Sequence, residues 1–337
     1  MYWRRLHNIN KLGNWALRSS PNSNSSVQFA DITYGSSGFV SIGYNLVAPL
    51  TNYCMTSVDG ITGWMNRTIS TYSEISNLTR IDFGNNMYVA VGSNGITSSP
   101  NGVTWTVRKT GVSLAWVKFG NGIFVVGSNN TSAPYIYTST DGVSWVERAG
   151  FGTGRRVMDM GFGNGHFFAL TVYDGSSGVN SYRGVIKSND GINFTDTPTT
   201  GYPQFTNFSR YQYAFNKYYA MTNYANNMNF NSMLINSTDL LNWSPVIVPY
   251  DMDVNNITKS QYFRDILYQN GLMIMISFGS TDADKNKSSI VTRDGNNWEI
   301  LTTPELHTWE KLAYGSGRFA ACGVTPNPGD KIMTLDY

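Results

Sequence analysis

The feature that most constrains this chain is a unit that recurs along it. Its clearest copy runs from Phe119 to Trp145: Phe-Gly-Asn-Gly-Ile-Phe-Val-Val-Gly, a loop, then Tyr-Ile-Tyr-Thr-Ser-Thr-Asp-Gly-Val-Ser-Trp. The first half reads as a short apolar β run opened by a glycine turn. The second half reads as an alternating strand, an Asp-Gly hairpin signal and a tryptophan that starts the next strand. A unit this short cannot bury its apolar face alone, so its copies must stack on one another.

Two landmarks track the copies. An aromatic residue followed by a glycine-type turn starts at Tyr34, Phe83, Phe119, Phe162, Tyr213, Tyr268 and Tyr314, which makes seven. An Asp-Gly or related turn leading to an aromatic is complete six times: Asp59 to Trp64, Asn101 to Trp105, Asp141 to Trp145, Asp190 to Phe194, Asp239 to Trp243 and Asp294 to Trp298. The seventh is split between the chain ends. Lys331-Ile332-Met333-Thr334 matches the strand before the turn, and Gly13-Asn14-Trp15-Ala16-Leu17-Arg18 matches the strand after it.

Each copy supplies four strands, and radial four-stranded blades at a spacing of roughly 40–50 residues describe a β-propeller. The expected fold is all-β: seven antiparallel four-stranded blades, the ring closed by pairing of the N- and C-terminal strands, which removes an exposed edge. Residues 11–337 form the single propeller domain, and residues 1–10 fall outside the register as an N-terminal arm. No 3.6-residue periodicity long enough for a helix is present.

Composition narrows the function. The 24 Lys+Arg against 22 Asp+Glu are nearly balanced and charged residues make up only 14%, unlike a nucleic-acid binder with basic residues clustered on one face. No apolar run is long enough for a membrane span, and the N-terminus has no apolar signal core. Cys54 and Cys322 alone make no disulfide framework and read as buried apolar residues. The aromatic share of 14% and the abundance of Gly, Asn, Ser and Thr suit many strands and turns.

Ser-x-Asp-Gly-x-x-Trp at Ser139–Trp145 is similar to the Asp-box of sialidases and many non-enzymatic propellers. The fuller pattern, with Phe-Gly-Asn-Gly-x-Phe-Val-x-x-Gly, resembles propellers of bacteriophage virion and tail proteins and of bacterial surface proteins, over nearly the whole chain. A sialidase would imply an arginine triad, a tyrosine nucleophile with a glutamate partner, an acidic proton donor and an Arg-Ile-Pro tripeptide. The tripeptide does not occur. Arg80, Arg210 and Arg264 lie near inner-strand starts, but Glu74, Glu147, Glu299, Glu305 and Glu310 fall in expected outer strands or inter-blade loops.

The recurring turn residues Asp59, Asn101, Asp141, Asp190, Asp239 and Asp294 are read as structural, each accepting backbone N–H bonds of its own loop. The residue three before each aromatic landmark gives a second set: Asp31, Arg80, Trp116, Asp159, Arg210, Asp265 and Lys311. Six are charged, and neighbouring charges never share a sign, so an alternating ring at the channel mouth is expected, with Trp116 in the neutral place. Binding is expected at variable loops opposite the Asp-Gly turns, through Tyr44, Tyr53, Tyr173, Tyr182, Arg183 and Tyr224. His7, His166 and His307 have no metal-ligand spacing, and Asp282–Asn286 reads as a solvated loop rather than a calcium site. No cofactor, metal or catalytic residue is expected.

The sequence-level reading is therefore a non-enzymatic binding or structural module of a virion, assembled in the host cytoplasm as a tail fibre, baseplate or decoration protein. Its partners would be other virion proteins, a host-surface glycan or a host protein, with homo-oligomerisation left open. A bacterial surface or secreted glycan-binding propeller is the alternative, and a glycoside hydrolase, which needs two carboxylates at a set separation, the second.

Overall fold

The computed structural model describes residues 12–19, 21, 26–45, 51–69, 73–130, 134–151, 154–173, 181–198, 205–226, 229–248, 263–277, 288–304, 308–324 and 332–337. The N-terminal arm, Glu305, His7, His307 and Asp282–Asn286 lie outside these residues. Among the described residues every regular element is a β-strand, and the strands form seven sheets.

Blade 1 is Val27–Gly35, Gly38–Asn45, Asn52–Ser57 and Met65–Ile69, and blade 2 is Ser76–Gly84, Met87–Ser93, Gly95–Ser99 and Thr106–Thr110. Blade 3 is Trp116–Gly120, Ile123–Gly127, Ile136–Ser139 and Val146–Arg148. Blade 5 is Phe205–Ala214, Lys217–Asn226, Asn229–Ser237 and Ser244–Val246, and blade 6 is Phe263–Gln269, Leu272–Ser277, Ser288–Thr292 and Trp298–Thr302. Blade 4 departs from four strands. Its inner strand is broken into Arg155–Arg156 and Gly161–Gly163, both pairing with His166–Tyr173, followed by Ser181–Ser188 and Thr195–Pro198.

Blade 7 joins the two ends of the chain. Thr308–Gly315, Arg318–Val324 and Ile332–Asp336 are completed by Ala16–Arg18, with Ala16 opposite Thr334, Leu17 opposite Met333 and Arg18 opposite Ile332. Two contacts fix this closure: the Trp15 indole donates to Ser289 Oγ of blade 6 at 2.7 Å, and Arg18 Nε donates to Thr334 Oγ1 at 2.6 Å. The split repeat expected from the sequence is this closure.

Seven separate apolar clusters fill the seven inter-blade spaces. A second strand explains how. Phe124 and Val126 point into the space shared with blade 2, while Ile123 and Val125 point into the space shared with blade 4. A strand whose two faces both meet a neighbour needs apolar residues at every position, because side chains alternate sides. Cys54 and Cys322 sit in these spaces as free, buried thiols, and burial pushes the Cys54 thiol up to about 12.

The aromatic-glycine landmark has a purpose different from the turn assigned to it above. The φ > 0 positions of these turns fall on the following residues, such as Asn85, Asn86, Asn121 and Gly122. The glycine itself makes room for the next blade: a Cβ on Gly84 would lie 2.2 Å from the Phe119 ring, and one on Gly120 would lie 2.2 Å from Phe162. Five of the seven landmark rings seat in this way on a glycine of the preceding blade, while Ala214 and Gln269 stand at that position in blades 5 and 6. Turn asparagines add a polar latch in the same direction, Asn85 Nδ2 donating to Gly122 O at 2.9 Å and to Thr140 O at 2.7 Å. Asn121 repeats this on Gly165 O and Asn189 O.

Candidate functional site on the ring axis

The inner strands line the axis, and their register carries an irregularity at a recurring place. A shift falls between Phe29 and Asp31, Leu78 and Arg80, Phe208 and Arg210, Phe263 and Asp265, and Trp309 and Lys311. A bulge inserts one residue and re-aims the side chain that follows. Five charged residues thus follow five bulges, and a sixth, Asp159, lies in the break of the blade 4 inner strand.

All six line one cavity of about 250 Å³ on the axis, together with Asp82, Lys118 and Gln212. The charges lie within the inner strands rather than at their starts: Arg210 is the sixth residue of Phe205–Ala214. The seventh position differs. Trp116 is fully buried and belongs to the apolar cluster between blades 3 and 4, where its indole donates to Val157 O at 3.1 Å. The indole lies over Gly127, its cross-strand partner, at whose position a Cβ would meet the ring at 2.0 Å. Blade 3 instead presents Lys118, two residues on.

Around blades 4 to 7 the charges touch. Arg210 lies 3.2 Å from both Asp159 and Asp265, and Lys311 Nζ lies 3.6 Å from Asp265. Burial opposes both charges of the Arg210–Asp159 pair, but attraction wins: Arg210 is raised above its ordinary value and Asp159 is lowered. Lys311 is lowered, by burial first and then by repulsion from Arg210. Around blades 1 to 3 Lys118 pairs with Asp82, and Arg80 stands apart. Among the described residues no carboxylate comes within 4.0 Å of Arg80, whose Nη1 donates to Thr79 O at 2.7 Å while its buried Nε has no acceptor. Burial and repulsion from Arg210 lower Arg80, and burial raises Asp31. Lys118 lies 3.6 Å from Asp82, which raises its pKa.

The axial carboxylates also stitch neighbouring blades. Asp31 takes its own Ile32 N–H at 2.9 Å and Ile81 N–H of blade 2 at 3.1 Å. Asp82 accepts from Phe83 N–H and from Phe119 N–H of blade 3, both at 2.9 Å, and Asp265 accepts Leu312 N–H of blade 7 at 2.8 Å. Each bridges inner strands that do not pair with one another. Nothing in the sequence pattern signals this, because the donating N–H lies one blade away.

The Asp-Gly turns form six local frames spread around the ring. Asp141 Oδ1 accepts Val143 N–H and Ser144 N–H at 2.8 Å each, and Ser139 Oγ accepts Gly142 N–H at 2.8 Å. Asp59, Asp190, Asp239 and Asp294 repeat the two bonds, and Asn101 makes them through its amide oxygen at 2.9 Å. Backbone donors hold Asp59 and Asp141 down at about 2 and the other three aspartates lower still.

Two placements expected from the sequence change. Tyr44, Tyr53, Tyr173, Tyr182, Arg183 and Tyr224 lie in paired second and third strands rather than in free loops, at the blade ends opposite the Asp-Gly turns. Tyr53 packs partly against the core between blades 7 and 1. In blade 5 the strands pair up to Asn226 and Asn229, leaving a two-residue connection. Glu310 lies on an inner strand, 3.7 Å from Arg264, rather than in an outer strand or inter-blade loop. A larger, shallower groove of about 430 Å³ beside Arg18 and Trp64 is lined by a single charged side chain. Among the described residues no group of three or more His, Cys, Asp or Glu side chains is placed to hold a metal ion, and no helix is long and apolar enough to cross a membrane.

No protein-family model matches the sequence, and no curated protein matches it. Solved structures match in fold. Virginiamycin B lyase from Staphylococcus aureus superposes with a TM-score of 0.65 at 10% identity, over 96% of this chain and 100% of that one. YCF48 bound to D1 peptide gives 0.62 at 15% identity, over 96% and 94%. The N-terminal domain of Nup159 gives 0.57 at 11% identity, over 96% and 95%. They include a lyase and a peptide-bound protein, so at these identities the likeness establishes one thing: the chain has the seven-bladed β-propeller fold.

Proposed function

We propose that this chain is a non-enzymatic binding and structural module, a propeller that docks other macromolecules in a bacteriophage virion. The observation that carries the reading is how the carboxylates are used. Those of the Asp-Gly turns accept two backbone N–H bonds each and are spread around the ring, so they cannot converge on one substrate. Those on the axis accept backbone donors or basic side chains. A general acid or base needs a carboxyl group free to exchange its proton with substrate, and these are committed to holding the ring together.

The docking face is the one opposite the Asp-Gly turns, where second and third strands bring Tyr44, Tyr173, Tyr182, Arg183 and Tyr224 to one end of blades 1, 4 and 5. The partner is a virion protein or a host-surface glycan or protein. The peptide-bound state of YCF48 lends support, since that propeller of similar fold holds a polypeptide. The resemblance of the repeat to virion propellers supplies the setting. Co-purification with intact virions, followed by a glycan array and a hydrolysis screen, tests this. Virion association with binding and no turnover is expected, and glycan cleavage by the purified chain would overturn it.

A further inference from the structure

Among the described residues lining the axial cavity, Arg80 is the one basic side chain with no carboxylate within 4.0 Å, its nearest acids acting on it only from farther off. Arg80 has its carbonyl bond to Thr79, no carboxylate within 4.0 Å among the described residues, and an Nε closed off from water without an acceptor. Its neighbour on one side is Asp31, whose two oxygens take Ile32 N–H and Ile81 N–H. On the other side is the place vacated by Trp116, whose indole is in the core. Seven places cannot alternate in sign all the way round, and the break falls beside Arg80. Lys118 enters the same cavity from blade 3, its Nζ 3.6 Å from Asp82.

We propose that this part of the cavity binds a small oxyanion, a carboxylate or a phosphate, between Arg80 and Lys118. Arginine presents five N–H donors in a planar fork that fits such groups in pairs, and lysine adds a compact positive charge. The volume of about 250 Å³ admits a small ion or the acidic end of a larger molecule but not a folded partner. An anion also offsets the burial and the repulsion from Arg210 that push Arg80 down. This site does not depend on where macromolecules dock, so the two readings stand or fall separately.

Inorganic phosphate titrated into the full chain at fixed ionic strength tests it, read by melting temperature and by phosphorus NMR line broadening. A ligand that binds only the folded state raises stability with the logarithm of its concentration above the dissociation constant, so a melting-temperature rise of about 2 °C or more is expected, with line broadening that saturates as the site fills. Arg80→Gln should remove the response while melting within about 2 °C of the parent in phosphate-free buffer, since Arg80 holds no ion pair. Lys118→Gln should weaken apparent affinity several-fold, and Arg148→Gln on an outer strand should leave it unchanged. Equal phosphate responses in the parent and Arg80→Gln, or neither a melting-temperature rise nor saturable line broadening in the parent, would sink the proposal. Should Arg80→Gln fail to fold, the Lys118→Gln affinity decides: unchanged affinity overturns the site. Acetate as a second ligand separates carboxylate from phosphate recognition.

Discussion

Blades 4 to 7 form one arc of the axial set and blades 1 to 3 the other, and Arg210 on the first and Arg80 on the second stand at the same register of their inner strands in opposite electrostatic states. On the first arc Arg210 touches two carboxylates, and attraction shifts Arg210 and Asp159 toward their charged forms. On the second arc burial wins, and Asp31 and Arg80 shift toward their neutral forms. Composition does not distinguish the arcs, since both mix acids and bases. Contact distance does. A pair at 3.2 Å recovers what desolvation costs, while one beyond 4 Å leaves each charge to bear its own burial. Sign alternation alone therefore does not make a stabilising ring.

The comparison can be broken most severely at blade 7, where the paired arc ends and the chain closes. Removing residues 1–19 takes away Trp15 and the strand Ala16–Arg18, exposing Ile332–Asp336. Loss of the buried indole alone costs roughly 3–5 kcal/mol. Cooperative unfolding of the whole ring is expected, as a melting temperature lowered by more than about 10 °C or no folded protein at all. A truncation that melts like the parent would mean the ring does not depend on its closure.

The next test weighs one arc against the other. Arg210→Met leaves Asp159 and half of the Asp265 pairing without a cation in a site where all three side chains are 13% exposed or less. Stripping one partner from a buried pair costs about 3 kcal/mol. Lys118→Met breaks a pair whose lysine is 37% exposed, where screening holds the loss below about 1 kcal/mol. Chemical denaturation of both variants reads the difference, and similar losses would show that the arcs are energetically alike.

The smallest effect is expected outside the ring. Asp141→Asn reproduces the arrangement that Asn101 already adopts in blade 2. A loss of no more than about 2 °C is expected at neutral pH. The Asp141 carboxyl is lowered from 3.8 to about 2 in the folded state by backbone donors. Its stabilisation is therefore present above pH 3.8 and is lost as pH falls toward 2. Parent and variant melting temperatures should converge across that window, and a gap that widens on acidification would contradict the turn geometry.

The blade count and the closure were legible because both rest on local, repeated signals: an aromatic before a small residue, Asp-Gly before tryptophan, and the matching fragments at Trp15 and Ile332. The axial set was half legible. Spacing from the landmark found six lining residues, yet the bulges that aim them depend on pairing with the second strand and leave no mark in the first. Trp116 shows the limit most clearly. Its position in the pattern is that of Asp31 and Arg210, but a glycine across the strand, Gly127, opens a place for the indole in the core. Lys118 was passed over because its register position holds unlike residues in every blade. The glycine after five of the seven aromatics is visible, but its reason, a ring from the next blade, is a tertiary contact that no local pattern encodes.

The closing pair has a mechanical consequence. Ala16 faces Thr334 and Arg18 faces Ile332, so the chain enters the first strand and leaves the last one at the same end of the ladder. Opposing forces on the two chain ends would load these rungs one after another, as when a zipper is drawn, rather than all at once in shear. A propeller tethered by both ends would give way at this seam under modest tension, and one tethered by a single end would keep the seam out of the load path.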